Sequence, residues 1–344
     1  MKRIKRNPEK FDVIDLFDSI GQSINLKFND PNSKETFLNS ISLSLNKSIT
    51  PIMLFGRRAE SMFGYVAASL GKCKLIKKED CGEVFFNDDA IKIPDYRIIT
   101  TTEKQYLIEV KNFYGKDSFT KFKLKASYLD ELLRYSLLVN VDLQIAIYWS
   151  KWNVWTMVAP FDFHNEGDEM TISLADAMKR NQMSILGDIT IATLPNIAMR
   201  VYADPHMPRH VDKERHIDFT ISNIELSCAG QVLSEEIEQH IAFMLIMLGV
   251  WEISGPTAKI CDENLEYIEF VSAPKDRTTG QAFEIIGQLS GMISSQYKWI
   301  TAPDGKVARL SPDIETGMLG FQIPEDYKSK SLPLWRFEIQ PNYD

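Results

Sequence analysis

The run 106–111, Tyr-Leu-Ile-Glu-Val-Lys, constrains this chain more than any other stretch. Side chains alternate faces along a strand, so Glu109 and Lys111 share one face while Tyr106, Ile108 and Val110 share the other. The apolar face demands a core. The charged pair demands a cleft or a partner, because burying it uncompensated is costly. A second strand is expected over 93–99, where Pro94 and Asp95 stand in Ile-Pro-Asp-Tyr-Arg-Ile-Ile, and the polar segment 100–105 reads as the turn between the two. A hairpin of that length can bring Asp95 beside Glu109.

Two carboxylates converging on one point repel each other and partly protonate unless a divalent cation lies between them. Magnesium, or manganese in its place, suits such a pair: it takes hard oxygen ligands, needs only one or two carboxylates, and keeps several waters for substrate phosphate to displace. The Val110 carbonyl is a candidate third protein oxygen. Lys111 would then stand beside the water on the metal, where its charge favours hydroxide and a pentacovalent phosphate.

The constellation Pro94-Asp95 with Glu109-Val110-Lys111 resembles the PD-(D/E)xK nuclease superfamily, which includes restriction endonucleases, junction resolvases and RecB-like exonucleases. The likeness covers roughly residues 57–158. It implies that Asp95 and Glu109 bind metal, that Lys111 assists the nucleophilic water, and that the substrate is nucleic acid, expected to be DNA. A further acidic residue often comes from the helix before the sheet, and Glu60 is the matching candidate. Some exonuclease branches carry a Gln and a Tyr four residues apart on the helix after the ExK strand. Glu131 and Tyr135 have that spacing, with Glu in place of Gln.

The implied fold class is α/β, a restriction-endonuclease-like mixed sheet flanked by helices. The residue patterns lead to the same order of elements. Helix is expected over 57–70, stopping at Gly71, and over 123–139, where Leu124, Tyr128, Leu132, Tyr135 and either Leu138 or Val139 trace an apolar stripe that assigns both tyrosines to the core. Strands are expected over 74–77, 83–86, 143–149 and 154–158. Three units follow: a helical extension over 1–50, with helical spacing at 11–17 and a capped helix start over 30–35 that puts Pro31 at the first helical position; a nuclease-like domain over 51–180; and a second α+β domain over 181–344. In the last, strands are expected at 188–192, 199–202, 218–221 and 267–271, helices at 234–248, capped by Ser234, and at 281–295, and an extended tail around 334–337. Its role is either substrate recognition or regulation.

With 344 residues and a formal net charge of −8, the chain has the wrong sign to coat nucleic acid by bulk charge. An enzyme needs only a local basic groove, and Lys116, Lys121, Lys123 and Lys125, interleaved with Phe113, Tyr114, Phe119 and Phe122, supply one just after the motif. Cys73, Cys81, Cys228 and Cys261 form no CxxC pair, which argues against structural zinc. Asp204, His206, His210, Asp212 and His216 cluster in sequence, but Pro205 and Pro208 deny them a shared helical face, so a solvated loop is expected. No run of about twenty apolar residues suggests a membrane span. The basic start 1–6 lacks the apolar stretch of a secretory signal, so the expected location is the cytoplasm.

The leading expectation is therefore a magnesium-dependent nuclease acting on phosphodiester bonds. Two alternatives share the fold: a catalytically inactive binding or assembly module, and a nuclease gated by an effector that the C-terminal region recognises. A homodimer is an option that these residues leave open.

Overall fold

The computed structural model describes residues 13–79, 85–87, 90–212, 214, 216–314, 319 and 323–343. Residues 1–12, including the basic start and the first two of the 11–17 run, lie outside the described residues, as do Cys81 and the first half of the expected strand 83–86. Three helices lead the chain: α1 (Val13–Ile24), α2 (Ser33–Ser48) and α3 (Pro51–Ser69). Helix α2 begins after Asn32, so Pro31 precedes the helix rather than opening it. Helix α3 starts six residues earlier than its apolar pattern suggests. Thr50 caps it through a hydrogen bond from the Met53 amide, and Pro51 stands at the first position, where its missing N–H is no loss. Gly71, at φ 89°, ends the helical region in the left-handed conformation.

A mixed five-stranded sheet follows. Its strands are β1 (Cys73–Lys78), β2 (Tyr96–Thr100) and β3 (Gln105–Phe113), then, after β4 (Phe122–Lys125) and α4 (Ala126–Val139), β5 (Asp142–Trp149) and β6 (Val154–Val158). The spatial order is β1-β2-β3-β5-β6. Only β3 and β5 run parallel, from Tyr106 opposite Asp142 to Phe113 opposite Trp149. The connection between them carries α4, which returns the chain from the end of β3 to the start of β5. Residues 122–125 form a strand paired with β8 (Glu169–Ile172), not the start of the helix that the apolar stripe suggested; β8 also pairs with β7 (His164–Glu166). Lys123 and Lys125 therefore alternate with buried Phe122 and Leu124 on a strand.

The sheet is covered on both faces. Helix α3 packs Met62, Phe63 and Val66 against Ile98, Ile108, Val110 and Met157. On the other face, Leu129 and Leu132 of α4 meet Leu107, Ile145, Ile147 and Trp149. This two-sided burial explains why β5 is buried from Leu143 to Trp149 and reads as a nearly continuous apolar run broken by Gln144, instead of alternating.

Downstream of α5 (Leu174–Lys179) lie β9 (Thr190–Thr193), β10 (Ile197–Ala203), β11 (Ile221–Cys228), β12 (Gln231–Val232), α6 (Glu236–Leu248), β13 (Glu252–Cys261), β14 (Asn264–Ala273), β15 (Glu284–Gln288), α7 (Leu289–Thr301) and β16 (Leu334–Phe337). A second sheet has the order β12-β11-β10-β14-β13, and β9 pairs with both β15 and β16. Helix α6 packs its apolar face over Leu226, Cys228 and Trp251. Ser234 is not its cap; Glu235 holds that position without a side-chain bond. Strand β11 starts at Ile221, where the expected strand 218–221 ends. The stretch 281–295 divides into β15 and the first half of α7 rather than forming one helix. The described members of the His and Asp cluster at 204–216 lie outside regular helix and strand.

The architecture is mixed α/β with several sheets and, among the described residues, seven α-helices. The first core does not stop at residue 180. Met183, Leu186, Ile293, Tyr297 and Leu319 belong to the same buried cluster as Phe63 and Trp155. Helix α7 is the main intruder. Gly291 lets it approach the β5–β6 turn so closely that a Cβ there would lie 2.7 Å from the Asn153 carbonyl oxygen, and the Asn153 amide donates to the Gly291 carbonyl at 2.8 Å.

Candidate active site

Strand β2 covers β3 only as far as Ile108, which pairs with Tyr96. From Glu109 onward the β3 edge on that side has no β2 partner, and Asp95, one residue before β2, meets the first open amide: its Oδ2 accepts from the Val110 N–H at 2.7 Å. The same hydrogen bond that closes the hairpin thus brings the Asp95 carboxylate to the base of Glu109. Tyr96 faces the other way, under α3, where the absence of a side chain at Gly64 leaves room for its ring; a Cβ there would stand 3.1 Å from the Tyr96 hydroxyl.

Glu109 is 3 % exposed and is held by two donors on one oxygen. Lys111 Nζ and the Tyr128 hydroxyl each lie 2.5 Å from its Oε1, and Lys111 also donates to the Tyr128 oxygen at 2.9 Å. Tyr128 is the third residue of α4. A helix that runs back over a parallel strand pair begins above the end the chain has just left, so its first turn overhangs the C-terminal end of β3. That placement turns Tyr128 from the core residue its spacing suggested into part of the site. Tyr135, two turns on, instead donates to Glu79 at 2.8 Å, and Glu131 pairs with Lys92 at 3.8 Å. Neither of the latter two lines the site cavity.

Glu60 comes from α3 on the far wall. Its oxygens are taken by Arg57 at 3.1 Å and Lys78 at 2.6 Å, and its backbone carbonyl accepts from the Tyr96 hydroxyl at 3.0 Å. Glu60, Asp95, Glu109 and Lys111 line one cavity of about 910 Å³, together with Tyr128 and Arg58. The first turn of α3 adds an apolar rim through Ile52, Met53 and Phe55, and α7 contributes Lys298.

Electrostatics mark this corner. Burial, and then the nearby Glu109 charge, push the Asp95 carboxyl up to about 7, with Glu60 adding to the rise while the Val110 N–H and Lys111 oppose it. For Lys111, burial favours the neutral amine, but Glu109 and Tyr128 outweigh it and raise the group to about 12. Burial and Glu109 likewise push the Tyr128 phenol up to about 12. At neutral pH the tyrosine is therefore a hydrogen-bond donor, the lysine a cation, and Asp95 poised between its two forms.

Among the described residues, no group of three or more His, Cys, Asp or Glu side chains is arranged to hold a metal ion. The donor set is accordingly the pair Asp95 and Glu109. Each has one oxygen engaged in the bonds above, and among the described residues the second oxygen of each makes no hydrogen bond. Hard oxygens from two carboxylates fit Mg²⁺ or Mn²⁺, which need no more from a protein.

The lysines following the motif lie elsewhere. Lys121 pairs with Glu166 and Lys123 with Glu169, each at 2.6 Å on the small β4-β8-β7 sheet. The Lys116 carbonyl accepts from Lys151 Nζ, and Lys125 is the cap residue of α4. None of the four lines the cavity. The cations that do line it, Arg57, Arg58, Lys111 and Lys298, include three that no run of basic residues announced.

No family model matches the chain, and no curated protein matches it. Solved structures that resemble it include Hjc, a Holliday junction resolvase from the archaeal hyperthermophile Archaeoglobus fulgidus, at 13% identity and a TM-score of 0.22, over 27% of this chain and 77% of that one. A likeness this slight carries no weight beside the geometry. No described helix is long and apolar enough to cross a membrane.

Proposed function

We propose that this protein is a metal-dependent nuclease that hydrolyses phosphodiester bonds, with DNA as its substrate. The observation that carries the reading is the meeting of Asp95 and Glu109 at the uncovered edge of β3, with Lys111 and Tyr128 bonded to the same Glu109 oxygen. A divalent ion held by the two carboxylates, with the Val110 carbonyl as a third oxygen, would polarise the scissile phosphate and lower the pKa of water. The rise in the Asp95 pKa supports this assignment, because a cation would favour the ionised carboxylate against both the burial and the Glu109 charge that raise it.

The side chains divide the remaining work. Lys111 stays charged across the neutral range and can donate to the attacking oxygen or to the phosphate oxygens as negative charge gathers on them. Tyr128 fixes the rotamers of Glu109 and Lys111 through its two hydrogen bonds, which limits how far either can stray. Glu60 sits on the opposite wall with its charge matched by Arg57 and Lys78. In that arrangement its two oxygens are engaged by cations instead of serving as ligands.

The test is cleavage of labelled duplex, single-stranded and branched DNA by the full chain in Mg²⁺ or Mn²⁺, beside Asp95→Asn and Glu109→Gln. Metal-dependent cleavage lost in both variants supports the proposal. No cleavage of any of the three substrates under either metal would remove it.

A further inference from the structure

Arg58 is 5 % exposed, lines the cavity, and among the described residues pairs with no carboxylate. Its Nε donates to the Thr301 hydroxyl of α7 at 2.9 Å, and its guanidinium lies over the Tyr297 ring, 5.6 Å from the centroid. Its Nη2 is buried and, among the described residues, makes no hydrogen bond. A buried cation without an anion is an expensive arrangement, and burial duly pulls its pKa down. Arg58 packs as though a partner were missing. The cavity beside it is where an anion can enter, and Lys298, exposed on α7 one turn before Thr301, lines the same space.

We propose that Arg58 and Lys298 form an anion subsite that grips a backbone phosphate of the polynucleotide next to the one held at Asp95 and Glu109. This rests on the nuclease reading and extends it. The guanidinium is the better phosphate ligand of the two, since its planar fork offers parallel N–H groups, and Thr301 already fixes its orientation. The lysine adds charge at the mouth. The consequence is that the C-terminal half takes part in substrate binding through α7: Thr301 and Tyr297 position Arg58, and Lys298 touches substrate directly. A protein cut back to its first 180 residues would lack all three.

The test compares wild type, Arg58→Met, Lys298→Gln and Thr301→Val, all as the full chain, in Mg²⁺. Fluorescence anisotropy on a labelled DNA oligonucleotide, repeated over a range of salt, is read beside KM and kcat for its cleavage. Methionine keeps an unbranched stem of similar length without the guanidinium, and Lys298 is exposed, so its variant folds whatever happens at Arg58. Loss of one phosphate contact should weaken binding about ten- to a hundredfold in Arg58→Met, less in Lys298→Gln, and flatten the log–log salt dependence by about one. KM should rise with kcat largely kept, and Thr301→Val should fall between wild type and Arg58→Met. A salt slope unchanged in both Arg58→Met and Lys298→Gln overturns the subsite while leaving the nuclease intact. If wild type neither binds nor cleaves DNA, the nuclease reading itself has failed and the subsite falls with it.

Discussion

Lys111→Ala should do more than stop catalysis. On the face argument alone, a lysine pointing into a cleft could be removed with little effect on folding, but the structure puts Lys111 Nζ 2.5 Å from a Glu109 that is 3 % exposed. Truncation leaves that carboxylate with the Tyr128 hydroxyl as its remaining donor. Breaking a fully buried ion pair costs about 3–5 kcal/mol, and an exposed one about 0–1. The Lys111 side chain is 26 % exposed, so water can reach the vacated position, and the loss should lie between those limits, at about 1–3 kcal/mol in metal-free buffer. Divalent ions should then restore it. Occupancy at a hundred times Kd contributes about 2.7 kcal/mol, and in the variant the ion no longer competes with Lys111 for Glu109. Urea denaturation in chelator and in Mg²⁺ or Mn²⁺ reads both effects. Stability equal to wild type in chelator would show that Lys111 does not compensate the buried Glu109 charge, and a metal-induced gain no larger than that of Glu109→Gln would show that no ion replaces it there.

Three further changes probe the same architecture. Asp95 has its folded pKa raised to about 7, above the unfolded value, so its contribution is present at acid pH and lost as pH rises through 7. Asp95→Asn, which keeps an acceptor for the Val110 N–H, should therefore stabilise the metal-free protein at pH 8 and not at pH 4.5; denaturant melts showing a loss at pH 8 would count against the assigned environment. Tyr128→Phe removes a donor to a charged group and should lower stability by about 1–2 kcal/mol while reducing cleavage without abolishing it, and an unchanged kcat would show that the hydroxyl positions nothing. Gly291→Ala would set a Cβ 2.7 Å from the Asn153 carbonyl and should cost about 1–3 kcal/mol by forcing α7 away from the first sheet; a melt like that of wild type would mean the contact yields freely.

The motif hairpin was legible because period-two alternation fixes which residues of 106–111 share a face, whatever surrounds them. Strands β5 and β6 and the stop at Gly71 were legible for similar local reasons. Tyr128 was not: α4 is amphipathic, and only the parallel β3–β5 crossover, a tertiary fact, turns its first turn toward Glu109. The helix start is not legible because Leu124 fits the apolar stripe of a helix as well as it fits a strand, where it faces the core with Phe122. Arg58 and Lys298 lie 240 residues apart in a chain whose two halves differ in pattern, and nothing local links them. The basic run over 116–125 is conspicuous in sequence, whereas the acidic partners of Lys121 and Lys123 sit more than forty residues downstream.

The most direct measurement is an anomalous difference map from crystals soaked in Mn²⁺, for wild type and Asp95→Asn. A single strong peak is expected in wild type between the Asp95 and Glu109 carboxylates, within reach of the Val110 carbonyl, weakened or absent in the variant. A wild-type map with no peak at that position, or with manganese bound only at other carboxylates, would contradict a metal site there.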